Sequence, residues 1–191
     1  MNTRIALLNA AEHAVRKRGY NGFSYADLAR DVGIRKASIH HHFPTKADLA
    51  LELIERYTDG FADALTRIKE ASGTSADKLR AYHLLYREAL AGGDQLCLCV
   101  ALGAGRDSLA APVLATLNQF HDDSMGWLSD IFATGIKDGS VHNSGDAVAD
   151  ASAALALMEG AQLLARSAAD VQRFDQATAA FLARLSPATQ H

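Results

Sequence analysis

Apolar residues recur along this chain every three or four positions and rarely every two. Between Thr3 and Arg18 they fall at Ile5, Leu8, Ala11 and Val15, which is one face of a helix. Thr3 suits the N-cap and Gly19 stands where a helix end favours glycine. Arg16, Lys17 and Arg18 fill the last turn, where cations complement the helix dipole. A second, short helix is predicted after Ser24, with Asp27 in a capping-box position and Leu28 and Val32 turned inward. Gly33 ends it, and helical patterning resumes over Arg35 to His40 with Ile34 and Ile39 apolar. Two short helices flanking a tight glycine turn form the pattern of a helix-turn-helix. Thr45 and Asp48 make another cap-like pair ahead of a long helix from Lys46. That helix carries Leu49, Leu53, Tyr57, Phe61, Ala64 and Ile68 at helical spacing and ends near Ala71–Gly73. It spans about 25 residues, or about 38 Å.

Five more helices are predicted: Ser75 to Ala91, Asp94 to Ala104, Ser108 to Lys137, Asp146 to Ala168 and Val171 to Leu185. Pro112 is tolerated in the first turns of the third of these. Alternating β-branched runs are lacking, so the chain is expected to be all-α with about nine helices.

Composition agrees. The 191 residues are 49% hydrophobic and 21% charged, which suits a folded core rather than disorder. Three prolines and abundant alanine favour helix. Two cysteines are too few for a disulfide scaffold. The longest stretch without Asp, Glu, Lys or Arg is Ser108 to His121, too short for a membrane span, and a cytoplasmic protein is expected. The net charge of −3 conceals an asymmetry. Residues 1–50 hold eight Lys and Arg against four Asp and Glu, and the remainder is acidic by seven charges. A basic head on an acidic body suits a polyanion-binding module joined to another domain, since only the head would approach the polyanion.

The residues of that head run Ala10-Ala11, Gly19-Tyr20, Phe23-Ser-Tyr-Ala-Asp-Leu-Ala-Arg-Asp-Val-Gly33, Ile34-Arg-Lys-Ala-Ser-Ile-His-His-His-Phe43 and Pro44-Thr-Lys-Ala-Asp-Leu49. This ordered series resembles the N-terminal domain of the TetR family of bacterial transcriptional regulators. The resemblance implies a three-helix DNA-binding domain over residues 1–45 and a helical ligand-binding and dimerisation domain over residues 46–191. One departure stands out: the family commonly has tyrosine where His40 lies, and histidine is shorter, though it still reaches for phosphate or stacks.

Residue chemistry points the same way. The second helix of a helix-turn-helix enters the major groove with its N-terminal residues nearest the bases. Here these are Arg35, Lys36, Ala37 and Ser38: two cations for guanine acceptors, a small residue for close approach and a hydroxyl. Lys46 and Ser24, at helix starts, are candidate phosphate contacts, as are His40 and His41. The run His40-His41-His42 is not expected to bind metal, because helical neighbours point about 100° apart.

For the body, the resemblance implies an effector pocket lined by the central helices and pairing of the last two helices with those of a second copy. Candidate pocket residues are Tyr82, Tyr86, Cys97, Phe120, His121, Met125, Trp127 and Gln162. Candidate interface residues are the small and apolar positions Ala147, Ala151, Ala154, Leu155, Met158 and Ala161. Cys97-Leu-Cys99-Val resembles a Cys-Leu-x-Val segment from a family branch that includes regulators responsive to electrophiles and oxidants, with Cys97 on the sensor position. On a continuous helix, Cys97 and Cys99 would point about 200° apart.

The expected function is therefore a dimeric, effector-released repressor of a palindromic operator. The expected partners are double-stranded DNA, a small molecule and a second copy, with no membrane, cofactor or metal. Two alternatives are a thiol-based sensor using Cys97 and a helical carrier or enzyme whose head no longer binds DNA. Enzyme motifs are poor: Gly103-Ala-Gly105 lacks a third glycine and a preceding strand, and there is neither a P-loop nor a nucleophile elbow.

Overall fold

A computed structural model of the chain describes residues 3–142 and 145–187. Among these, nine helices follow in order: α1 (Thr3–Arg18), α2 (Tyr25–Val32), α3 (Lys36–His42), α4 (Lys46–Glu70), α5 (Ser75–Ala89), α6 (Leu98–Gly103), α7 (Ala111–Asp138), α8 (Ala147–Ala168) and α9 (Gln172–Leu182). Short 3-10 turns cover Tyr20–Gly22, Ala91–Gly93 and Arg106–Ser108. The β-structure among the described residues is a single bridge between Val141 and Leu185. The chain forms two compact units, Met1–Gly60 with Leu96–Phe120, and Phe61–Gln95 with His121–His191. The expected division at residue 45 thus falls inside the first unit.

In the first unit α1 packs against both α2 and α6, which requires a wide inward face. Leu7, Leu8, Ala11, Ala14 and Val15 supply it. Ile5, expected on that face, is instead 51% exposed, and Leu7 takes its place. Both caps of α2 are local chemistry. Ser24 and Asp27 form a complete capping box, and Gly33 at φ 75° closes the helix by donating its N–H to the Ala29 carbonyl. Leu28, Ile39, Phe43, Leu49, Leu53 and Ile54 are buried.

The segment expected as a helix over Asp94–Ala104 is different. Gly93, at φ 101°, has no room for a Cβ, which would lie 2.9 Å from the backbone of Ala169. The chain then runs non-helically to Cys97, and Leu96 exchanges two hydrogen bonds with α1: its N–H donates to the Arg16 carbonyl, and the Arg16 side chain donates back through Nε to the Leu96 carbonyl. The helix begins only at Leu98, with Cys97 as its N-cap residue.

In the second unit α5, α8 and α9 pack together around Leu79, Tyr82, Tyr86, Leu128, Phe132, Leu155, Met158, Phe174 and Phe181. Ala151, Ala154, Ala161 and Ala165 are small enough to bring α8 close. Arg87 binds Asp175 through two hydrogen bonds of 2.6 and 2.8 Å, joining α5 to α9, and Arg184 reaches Asp150 on α8 at 2.6 Å. α8 is apolar enough over its 22 residues, by length and composition, to cross a membrane, and a third of its most apolar stretch is buried. A count of charge-free runs overlooks this helix because Asp150 and Glu159 interrupt it.

Candidate nucleic-acid interface

α3 opens on Arg35, whose side chain leaves the helix N-terminus uncapped. Arg35, Lys36 and Ala37 are exposed and Ser38 is half-buried. Neither Arg35 nor Lys36 has an ion-pair partner among the described residues. On the opposite side, Ile39 is fully buried and Phe43 follows it into the core. α3 is therefore anchored by one face and offers two cations and a small side chain on the other.

Ser24, Lys36, His40 and Lys46 surround one depression of about 320 Å³, together with Phe23, Tyr25, Pro44 and Thr45. The two short helices and the start of α4 thus bring together four of the eight expected DNA-facing residues. Arg35, Ala37, Ser38 and His41 lie outside that depression. Ser24 is already engaged: its hydroxyl donates to Asp27 at 2.7 Å and accepts the Asp27 N–H. The hydroxyl and N–H of Ser24, with Arg30, hold the Asp27 carboxyl down at about 2.

His40 Nδ1 lies 3.2 Å from the Pro44 carbonyl, and the ring meets Tyr25 edge-on at 4.9 Å. The His41 ring meets that of His42 at 5.5 Å, so the three histidines turn to different neighbours. Tyr25, absent from the sequence candidates, ties the site together. Its hydroxyl lies 3.0 Å from the Phe43 carbonyl and 2.6 Å from that of Thr45, and burial pushes its pKa up to about 12. Tyrosine in a turn-flanking position gives no sequence signal for those long-range partners.

Lys46 differs from expectation. Its ammonium donates to the carbonyls of Tyr20 at 2.6 Å and Phe23 at 2.7 Å, and sits over both rings at 4.6 and 4.1 Å. Burial pushes its pKa down. Most of this cation's reach goes into fixing the turn before α2, and one of its three N–H donors remains for other partners.

The thiols also depart from expectation. Cys97 is non-helical (φ −52°, ψ 142°) and stands ahead of α6, so the 200° divergence expected on a helix does not hold. The Tyr57 hydroxyl donates to the Cys97 sulfur at 3.3 Å, and the Cys99 thiol and the backbone N–H groups of Val100 and Cys99 also act on it. These donors pull the Cys97 pKa down despite its burial, the Cys99 bond contributing most. All of these residues belong to the first unit.

Among the remaining effector candidates, Phe120 is buried in the first unit. The others lie in the second. Tyr82 stacks on Trp127 at 5.5 Å and 18°, beside Tyr86 and Met125. Gln162 donates to the Tyr86 carbonyl at 2.6 Å, and His121 Nε2 lies 3.1 Å from Glu159. Of the expected interface positions, Ala151, Ala154, Leu155, Met158 and Ala161 are buried in the chain's own core, and Ala147 packs against it. The large apolar side chains that α8 exposes are Val148, Leu163 and Leu164.

An all-helical chain with a capped helix-turn-helix and a separate helical body is the architecture of a DNA-binding regulator. Comparison with known proteins agrees. The family model described as bacterial regulatory proteins, tetR family, matches residues 7–53. A TetR-family transcriptional regulator from Agrobacterium tumefaciens, known from its crystal structure, is 31% identical over 97% of this chain and 98% of that one, with a TM-score of 0.90. The HTH-type transcriptional repressor NemR of Escherichia coli K12 is 24% identical over 93% of this chain and 91% of its own. The crystal structure of E. coli NemR in its reduced form shares the fold at a TM-score of 0.82, covering 99% and 100% of the two chains. The chain belongs to the TetR family of transcriptional regulators.

Proposed function

We propose that this protein represses transcription in the bacterial cytoplasm as a homodimer, its two α3 helices reading half-sites of a palindromic operator until a small molecule in the second unit releases them. The observation that carries the DNA reading is the exposed, unpaired Arg35–Lys36 turn on a helix whose opposite face is buried. Two such helices must lie about 34 Å apart, or a multiple of that, to enter successive major grooves. The exposed Val148, Leu163 and Leu164 on α8 supply an apolar face for the second copy. Effector binding need shift the dimer between two spacings by only about 1–3 kcal/mol to change occupancy 5- to 150-fold. The test is fluorescence anisotropy with DNA from upstream of the protein's own coding region and with a random-sequence selection. A specific complex that weakens steeply with salt supports the reading. Failure of both DNAs to give one overturns it and favours a carrier or enzyme with an idle head.

A second reading, in which a thiol takes the place of the pocket, is favoured by the donors converging on Cys97. A thiolate is the reactive form, and hydrogen bonds that stabilise it raise its population at neutral pH. N-ethylmaleimide would then release the DNA complex of the native chain and not that of Cys97→Ser. Equal release of both overturns this reading.

A further inference from the structure

Two buried polar atoms in the second unit have no hydrogen-bond partner among the described residues, the Ser124 hydroxyl and the Trp127 indole N–H. They lie three residues apart on α7 and so share a face of that helix. Ser124 is 1% exposed and interrupts an inward row that continues with Leu128 and Ile131. A helical serine usually returns its hydroxyl to the carbonyl one turn back, and this one does not. Buried polar groups in native proteins are nearly always paired, and leaving two unpaired on one face is costly. The side chains packed with Trp127 are flat and apolar. Trp127 stacks on Tyr82, Phe61 meets Tyr82 and Tyr86 edge-on at 6.2 and 6.1 Å, and Met125 packs on the same cluster.

We propose that Ser124 and Trp127 form the polar recognition pair of the effector site, and that the effector is an uncharged, flat molecule bearing a carbonyl-type oxygen, an aryl ketone being the simplest example. This rests on the reading of the second unit as the effector domain. An indole N–H only donates, and the serine hydroxyl can donate beside it, so the group they share must be an acceptor. The apolar cluster excludes a bare charge. One turn earlier on α7, His121 lies 3.1 Å from the Glu159 carboxylate, which would repel an anionic ligand placed near it. The stacked Tyr82–Trp127 pair sets the demand for flatness.

Trp127 is the single tryptophan of the chain, so its emission reports on this site alone. The test titrates the full chain, without DNA, with three probes of like shape: 2-acetylnaphthalene, 2-ethylnaphthalene and 2-naphthoate. The ketone is expected to bind about 10-fold tighter than the other two, the scale of one buried hydrogen bond. Ser124→Ala should bring the ketone to within about twofold of the hydrocarbon while leaving the hydrocarbon's affinity unchanged. Trp127→Phe, followed by calorimetry, should do the same. Equal affinity for ketone and hydrocarbon, as expected if the two donors face only water, overturns the proposal. So does a preference for the naphthoate, an unchanged ketone affinity in Ser124→Ala, or no binding of any probe. Because DNA is absent, the outcomes separate. A chain that binds the ketone through Ser124 yet no DNA sinks the regulator reading alone, and a regulator indifferent to the acceptor sinks this inference alone.

Discussion

Replacing Lys46 with methionine separates two roles for one cation. Methionine keeps the length of the apolar stem and removes the ammonium. What is lost is two charge-assisted hydrogen bonds, to the carbonyls of Tyr20 and Phe23, and the contact with both rings. Hydrogen bonds to charged groups contribute about 1.5–3 kcal/mol each and a partly exposed cation–π contact about 0.5–1 kcal/mol. Against this stands the partial desolvation of the ammonium, visible as its lowered pKa. The balance is a destabilisation of about 2 kcal/mol, which for a chain of this size lowers Tm by about 4–8 °C. Urea denaturation should show a lower midpoint with an unchanged slope. The salt dependence of DNA binding gives the second readout. Lys36→Ala, which removes an exposed cation, should reduce the slope of log K against log salt by about one. Lys46→Met should weaken binding and leave that slope nearly unchanged, because the lysine acts by holding the turn ahead of α2. A stability loss below about 0.5 kcal/mol together with a slope reduced by one would refute this reasoning and return Lys46 to the phosphate backbone.

Other perturbations test the packing. His83 is buried with its Nε2 2.9 Å from Thr178 Oγ1, its ring 5.0 Å from that of Phe174, and Arg87 and Asp175 nearby; burial lowers its pKa below the ordinary 6.5. The unfolded chain therefore takes up the proton first, and stability should fall as pH drops below 6.5 until the folded pKa is passed. His83→Gln should lose that slope in a Tm-against-pH series, and a slope unchanged in the variant assigns it elsewhere. Asp27, held at about 2, contributes stability that is complete above its ordinary 3.8 and is lost as pH falls toward 2. Circular dichroism of Asp27→Asn should show a flatter acid transition, and an identical one contradicts the capping role. Leu163→Glu with Leu164→Glu puts charge on the exposed face of α8. Light scattering should then give monomers where the native chain gives dimers, and an unaltered dimer moves the interface elsewhere.

The elements with regular periodicity and strong caps were legible in sequence. α1, α4 and α8 begin and end within a few residues of expectation, with Thr45 and Asp146 capping the starts of α4 and α8 and Gly19 following the end of α1. The missed features depend on distant partners. Lys46 finds carbonyls 26 and 23 residues away, and no local pattern encodes that pairing. The small residues of α8 gave a stripe without a direction, since alanine lets any helix approach. Only the packing of α5 and α9 onto that stripe shows that it faces inward and that Leu163 and Leu164 do not. The Ser124 hydroxyl was invisible as a candidate because a lone serine among apolar residues is ordinary until its lack of a partner is seen.

The segment before α6 shows how one misplaced helix start alters chemistry. Had residues 94–104 been a single helix, Cys97 would stand on it with its own N–H bonded inside the helix and Cys99 turned away. Because the non-helical stretch through Leu96 is tied to Arg16 instead, Cys97 stands ahead of α6, where the Cys99 thiol and the N–H groups of Val100 and Cys99 pull its pKa down. Tyr57, on α4, adds the fourth donor. An electrophile that alkylates Cys97 would replace an acceptor of four hydrogen bonds with a bulky thioether in a close-packed place. The strain would arise inside the unit that holds α2 and α3, so a thiol signal needs no path through the second unit, whereas a ligand at Ser124 and Trp127 does. Release by N-ethylmaleimide that survives Ser124→Ala but not Cys97→Ser, beside release by a ketone with the opposite dependence, would show two independent inputs on one helix-turn-helix.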